Sequence, residues 1–478
     1  MEPGTDTRTW GRALALTIML AAFVLTLFLV SVAAQPADGR ALVSVSPAGR
    51  SAESRLKADG LAIYGSLARD GQRSLLVRAA PHKVKALRRE GYDVAVLDPD
   101  SAGASYYLAY RLPNRPEPEW GEFGQLLLDD GRHLVLRIDE SGTERLVEAR
   151  ALFHPLALDA GRATDTPATV WPPLNQPSPA VQAMIDAVSS TVVYAYTGDL
   201  SGEWPVLVGG APYTISTRNT YYGNSEGVKK ATELVGERLE ALGLGVEYHE
   251  WESDLYPNVI GQITGSVDPG EIYILGAHID DMPAGPVAPG ADDNTSGSVG
   301  VLVAAEILSR YEWECTLRFA LWTGEEQGLR GSRAYAQRST SLGEVISGVL
   351  NLDMIGWNTP GSSRDIDLHA RESVTGSLSL ATVFSDVVNT YDLDLVPQII
   401  PDGIPNSDHG AFWIEGYPAI LAIEDVSDFN PNYHSTDDQL QNLDMGYYVE
   451  FVKAAVASFV NMSGCLARER VYFPMVAR

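Results

Sequence analysis

Cysteine is nearly absent from this chain, with only Cys315 and Cys465 in 478 residues. Two cysteines make no disulfide framework, and no zinc site can be assembled from their thiolates. Whether the two pair with each other stays open from sequence. Basic residues are also in deficit: 35 Lys and Arg stand against 62 Asp and Glu, a formal net charge of −27. A surface built to hold nucleic acid nonspecifically needs Lys and Arg to neutralise phosphates, so the charge argues against that class of function. The charge does not identify a substrate, because local fields can differ from the total. No internal repeat of fixed period is present. What is there is a globular composition, 45% hydrophobic and 20% charged, and a length suited to two or three domains rather than one core.

Arg8 and Arg12 precede the apolar run ALALTIMLAAFVLTLFLVSVAA, which ends in the small residues Ala33 and Ala34. This is the order of a secretory signal, so residues 1–34 are expected to be a signal peptide. The run is also long enough to remain as an uncleaved membrane anchor. Either reading puts the rest of the chain outside the cytoplasm, secreted or anchored. Residues 35–158 read as a small α/β domain, accessory or a pro-segment: SLLVRAAP a strand, HKVKALRREG a helix, DVAVLD a strand, then QLLLDD and HLVLRID a hairpin. Residues 159–180, rich in Pro, Ala and Thr, read as a linker. Residues 181–465 form the main domain and 466–478 a tail whose VYFPMVAR segment suits an edge strand or a docking segment.

In the main domain, apolar strands alternate with amphipathic helices. EIYILGAH, TLRFALW and VISGVLNLD are strands, and SVGVLVAAEILSRY, GLRGSRAYAQR, LSLATVFSDVVNTY and DMGYYVEFVKAAVASFVNM are helices. The alternation predicts an α/β fold with a mixed, largely parallel sheet and helices on both faces. In such sheets ligands bind beyond the carboxyl ends of the strands. Those ends carry the chemistry: His278 and Asp280 after EIYILGA, Glu325 and Glu326 after TLRFALW, and Asp353 after VISGVLNL. APGADDNTSG adds Asp292 and Asp293 at a helix start, and NPNYHS adds Tyr433 and His434 in a loop.

Taken alone, the adjacent glutamates of WTGEEQG read as a solvated turn or as acids at the positive start of a helix. Taken with the other strand ends, they suggest divided labour, one carboxylate on a metal and its neighbour moving a proton. Imidazole and carboxylate without thiolate suit zinc, and also cobalt or manganese. Two ions would need a shared anionic bridge. Asp292 could supply it, with His278 and Asp353 completing one site and His434 and Glu326 the other. An ion pair of that kind makes a bound water more acidic and polarises a carbonyl, and Glu325 is then the candidate general base.

The stretches GAHIDD, PGADDNTSG, WTGEEQGLRGS, NLDMIG and NPNYHSTDD occur in one order over roughly residues 185 to 460, with YTISTRNT before them. In this the sequence resembles the M28 zinc peptidases, and within them the secreted bacterial aminopeptidases of the leucyl-aminopeptidase type. The resemblance implies a two-zinc exopeptidase acting on peptides or protein N-termini. It assigns His278 and Asp353 to one zinc, Glu326 and His434 to the other, and Asp292 to the bridge, although spacing does not separate Asp292 from Asp293. Glu325 matches the general base, and Asp280 the acid that orients the first histidine, a support that metal-bound imidazoles commonly need.

His409 competes with His434, and the resemblance leaves Asp408 and His409 as pocket or support residues. His82, His133, His154, His249 and His369 fit no cluster and read as structural, and Asp365 and Asp367 as solvated. Trp322, Trp357, Phe412 and Tyr433 are candidates for a substrate pocket, though core positions suit them better. A carboxypeptidase would want an exposed arginine, for which Arg364 and Arg371 are available. Carboxypeptidase or dipeptidase action therefore stays open beside the aminopeptidase reading, with glutaminyl-cyclase-like chemistry and a noncatalytic binding module as remoter alternatives.

Overall fold

The structure is a computed structural model. It describes residues 40–46, 55–56, 59–69, 72–111, 118–131, 133–138, 142, 145–146, 152–156, 171, 174, 176–220, 226–252, 256–283 and 285–469. The expected signal peptide, most of the linker and the VYFPMVAR tail lie outside these residues.

An eight-stranded sheet organises the main domain. Its order is Gly245–His249, Asn258–Ile263, Cys315–Trp322, Asp268–His278, Val345–Leu352, Ala419–Glu424, Asp365–His369 and Val396–Ile400. The four strands from Cys315–Trp322 to Ala419–Glu424 run parallel, and the flanking pairs include antiparallel ones. This is the expected mixed α/β architecture. The turn signal Asp268-Pro269-Gly270 does not make a hairpin, because the Cys315–Trp322 strand inserts between its two neighbours in sequence.

The apolar strands are buried on both faces, which their near-continuous hydrophobic runs require. Tyr273, Leu275 and Ala277 face helices Gly297–Leu308, Ser377–Thr390 and Met445–Ser463 in one large core. The alternate residues Ile272 and Ile274 face the opposite way, against Tyr335 of helix Arg330–Leu342 and Phe412 and Trp413 of helix His409–Ile414. Cys315, at the start of its strand, is bonded to Cys465, which follows the C-terminal helix. The bridge closes a loop of 150 residues around the main domain.

The region before the linker is β-rich. It holds two antiparallel four-stranded sheets, with the helix Pro81–Arg89 packed beside the first. The expected strands Gln72–Ala79 and Asp93–Asp98 and the hairpin of Gln125–Asp129 with His133–Arg137 are present. Its apolar residues Leu42, Tyr64, Tyr106, Leu108 and Val135 share one cluster with Met354, Leu421, Ile423 and Tyr433 of the main domain. Among the described residues, no helix is long and apolar enough to cross a membrane.

Candidate metal centre

His278 and Asp353 arrive at the ends of adjacent parallel strands and face the same side of the sheet. Asp353 is held by its N–H to the carbonyl of Ala422, at 3.2 Å. The next residue, Met354, takes a left-handed φ of 49°, as does His434 at 52°. Non-glycine residues rarely adopt that conformation, and it recurs where function constrains the chain.

The two glutamates sit on the turn that follows the Cys315–Trp322 strand. Asp280 explains their placement: its carboxylate accepts from the Glu325 N–H and the Glu326 N–H, each at 3.3 Å, and from the Thr220 hydroxyl at 3.1 Å. The orienting contact to His278 comes mainly from the main chain of Asp280, whose carbonyl oxygen lies 3.1 Å from Nδ1, against 3.8 Å for its carboxylate. That leaves the His278 Nε2 facing the cluster.

The structure corrects the residue expected to bridge. Asp293, not Asp292, lies between the histidines: Oδ1 is 3.3 Å from His278 Nε2 and Oδ2 is 3.2 Å from His434 Nε2. Asp292 turns away. Its carboxylate accepts from the Gly356 N–H and from the Asn430 side-chain amide, both at 2.8 Å. Asp438 then accepts from the Asp292 and Asp293 N–H groups, both at 3.0 Å. Asp292 and Asp438 thus tie the 430–438 loop to the turn before helix Gly297–Leu308, and that clamp brings His434 to Asp293. Spacing cannot distinguish the pair because Asp293 and Asn294 leave helical φ and ψ inside this turn.

The remaining ligand candidates complete two groups. Asp353 Oδ1 is 3.4 Å from His278 Nε2, and Glu326 Oε2 is 3.0 Å from His434 Nε2. Two groups share Asp293, one with His278 and Asp353 and the other with Glu326 and His434, and a third joins His278, Glu325 and Glu326; within each, the ligand atoms lie within 4.8 Å of one another. Among the described residues, Glu326 Oε1 is buried without a hydrogen-bond partner. Converging imidazole nitrogens and carboxylate oxygens with no thiolate are the donor set zinc takes, so the residues fit a pair of such ions sharing Asp293.

The electrostatics express the same crowding. Burial lowers the pKa of His434, but Glu326 and Asp293 more than reverse this and raise it to about 10. Burial raises Asp293, and the two histidines outweigh it and hold it below the ordinary carboxylate range. Burial also raises Glu325 well above its usual value; His278 opposes this, while the charges of Glu326, Asp408 and Asp353 add to it. Both adjacent glutamates border the cavity, and Glu326 also faces His434.

A cavity lies beside these groups. Its walls include Met354, Ile404, Leu421, Ile423, Phe429 and Tyr433. Of the four aromatic candidates, Tyr433 alone borders it; Trp322 and Phe412 are core. His409 supports a loop, its Nε2 2.9 Å from the Ile404 carbonyl. Asp367 is buried rather than solvated and accepts from the Val426 N–H at 3.2 Å. Arg364 pairs with Asp394, and Arg371 lies over the Trp413 ring at 4.6 Å; neither borders the cavity.

Sequence reasoning missed Arg218, fully buried in the YTISTRNT segment. Its guanidinium donates to the carbonyls of Leu200, Ile279, Pro289 and Gly290, and its N–H donates to Asp281. It therefore braces the loops on either side of the metal-ligand candidates. Its signal was a lone arginine in a quoted motif, with nothing local to give it a role. His369, read as structural, borders the cavity instead.

Residues 258–459 match Peptidase family M28. A probable leucine aminopeptidase of Arthroderma otae is 31% identical over 266 residues, 52% of this chain and 69% of that protein. A probable leucine aminopeptidase 2 of Aspergillus oryzae is 31% identical over 304 residues, 57% of this chain and 58% of that protein. Among solved structures, the LapA aminopeptidase of Legionella pneumophila superposes with a TM-score of 0.57 at 17% identity, covering 76% of this chain and 99% of its own. That likeness concerns the fold.

Proposed function

We propose, since the chain belongs to peptidase family M28 and is one of its metal-dependent exopeptidases, that it is an exported di-zinc aminopeptidase releasing the N-terminal residue of peptides. The observation carrying the choice of terminus is the charge of the cavity. Asp293, Glu325, Glu326 and Asp353 line it, and among the described residues no arginine or lysine does. A substrate ammonium suits such a wall, whereas a C-terminal carboxylate would need a cation to meet it.

His278, Asp293 and Asp353 would hold one zinc, and Asp293, Glu326 and His434 the other. Bound there, the ions would supply Lewis-acid polarisation of the scissile carbonyl and a more acidic attacking water. Glu325 accepts the proton of that water and returns it to the leaving amine. Burial among like charges raises its proton affinity, which suits a group that must first take and then give a proton. Asp280 keeps Glu325 and Glu326 in different directions through its two N–H contacts. The apolar walls favour an uncharged side chain on the released residue.

Export is supported by the apolar run of residues 13–34 and by the Cys315–Cys465 bond, a feature of oxidising compartments. Residues 35–158 are proposed to be a pro-segment or accessory domain resting on the site, because their cluster includes the cavity residues Met354, Leu421, Ile423 and Tyr433. Limited proteolysis within residues 159–180 is expected to raise peptide turnover if that contact masks the site; unchanged turnover assigns the domain a different task.

The deciding experiment compares one peptide with a free and an acetylated N-terminus, using protein whose zinc content is measured. Hydrolysis of the free peptide alone, at two zinc ions per chain, is expected. Equal cleavage of both peptides refutes recognition of the amine, and saturation at one zinc refutes the shared carboxylate.

A further inference from the structure

His369 ends the strand Asp365–His369 and is 4% exposed. Both its ring nitrogens are sealed from solvent, and among the described residues neither has a hydrogen-bond partner. Burial alone lowers its pKa to about 4, so the ring is neutral at ordinary pH, with one N–H to donate and one lone pair to accept. A buried polar group left without a partner is costly, and retaining one invites an explanation in terms of function. This one borders the cavity that holds the metal-ligand candidates.

The register of the sheet fixes where the ring stands. Asn351 pairs with Leu421, and Leu421 with His369, so the three lie in one row across the sheet. Asp353 and Ile423 are two residues further along their own strands, on the same face as Asn351 and Leu421. His369 is therefore two strand spacings to the side of Asp353 and one two-residue step deeper, about 12 Å between Cα atoms. The reacting groups cluster at the strand ends, and His369 stands too deep to join them. Leu421 and Ile423 line the intervening wall. Asn406 and Ser407 border the same cavity, and on its sheet side Leu421 and Ile423 separate the metal-ligand candidates from the imidazole.

We propose that His369 recognises the side chain of the residue to be released and selects one with an apolar stem and a neutral hydrogen-bonding end, an amide or a hydroxyl. This inference rests on the aminopeptidase reading for the direction of entry. The apolar walls disfavour a charged end. A purely aliphatic side chain fills the cavity but leaves the imidazole unpaired, and a site that buries an unpaired donor discriminates against the analogue lacking the partner. His369 is then a specificity-determining residue, remote from the proton transfers.

The test uses near-isosteric pairs, Leu against Asn and Phe against Tyr, as N-terminal residues of otherwise identical peptides. It compares the zinc-loaded full chain with His369→Phe and His369→Gln, and it reads kcat/KM together with calorimetric affinities for free leucine and asparagine. In His369→Phe, the Asn-to-Leu and Tyr-to-Phe ratios of kcat/KM, and the asparagine-to-leucine ratio of affinities, are expected to fall about tenfold or more, the usual scale for an unpaired buried donor. His369→Gln keeps a donor and an acceptor and is expected to retain most of the discrimination. Unchanged ratios in a folded His369→Phe overturn the inference and leave the aminopeptidase reading intact. If His369→Phe does not fold, the wild type decides: tighter binding of asparagine than of leucine in calorimetry supports the inference, and equal affinities for the two amino acids overturn it. Failure of the aminopeptidase reading appears separately, as equal cleavage of acetylated and free peptides, while the amino-acid affinities still decide the role of His369.

Discussion

The two faces of the central sheet divide the work of the molecule. On one face Tyr273, Leu275, Ala277, Leu350 and Ala422 meet three helices in a continuous apolar core. On the other, the same strands present Ile274 and Val349 to helices Arg330–Leu342 and His409–Ile414, and then His278 and Asp353 where they end. Part of that second face is covered by residues before the linker, through Leu421 and Ile423. The first face gains stability from apolar burial and dispersion. The second concentrates acids that repel one another and are desolvated, an arrangement that opposes folding unless cations or hydrogen bonds compensate. The difference locates stability on one side of a strand and chemistry on the other, one residue apart.

The sharpest way to break the comparison is at the adjacent glutamates. Glu325→Gln is expected to keep its zinc and lose roughly 10²–10⁴ in turnover, the scale of positioned proton transfer. Glu326→Gln is expected to lose occupancy at one site, with partial rescue by excess zinc. Metal content and turnover across a zinc titration check both, and the reverse pattern would exchange their roles.

The aspartate pair comes next. Asp293→Asn is expected to lower occupancy of both sites, because its two oxygens face different histidines. Asp292→Asn is expected to bind zinc more nearly normally but to unfold more readily, as its contacts are to Gly356 and Asn430. Calorimetric zinc titration and urea unfolding of both variants separate the two effects. Greater zinc loss in Asp292→Asn would return the bridge to that residue.

On the apolar face, Leu275→Ala is expected to cost about 2–5 kcal/mol of stability, the range for a large-to-small core change. Its turnover per zinc-loaded chain should stay near that of the wild type, since Leu275 faces away from the site. Urea unfolding beside activity checks this. A large kinetic effect with little loss of stability would abolish the division between the faces.

The smallest expected effect is acid sensitivity from His369. Its folded pKa, lowered by burial to about 4, is below the ordinary value of 6.5. The unfolded chain therefore binds a proton that the folded chain refuses. The contribution is fully present above about pH 6.5 and is lost as pH falls from there towards 4, at most on the order of 3 kcal/mol. Replacing His369 with Phe should flatten that part of the stability profile relative to the wild type, as measured by denaturant unfolding at successive pH values. Parallel profiles would mean that folding leaves the pKa of the ring where it stands in the unfolded chain.

Much of this was legible along the chain. Apolar runs of strand length separated by amphipathic helices marked most of the main-domain elements. The short strands Asp365–His369, Val396–Ile400 and Ala419–Glu424 escaped notice, since short runs carry little periodic signal. Two of them, Asp365–His369 and Ala419–Glu424, bring His369, Leu421 and Ile423 to the cavity wall, so the pocket was less legible than the metal-ligand candidates. Asp280 was singled out for orienting His278, yet its carboxylate serves the glutamate turn more directly.

By itself the sequence determined the kinds of donor available and their delivery to strand ends, because alternation and apolar run length are local properties of the chain. It could not choose between Asp292 and Asp293 or free His369 from a structural reading. Those choices depend on side-chain direction, which contacts across long separations set: Gly356 lies 64 residues from Asp292, and Asp438 lies 146. Only the folded sheet and its connecting loops bring those partners together, and one residue of rotation in a turn decides which carboxylate faces the histidines.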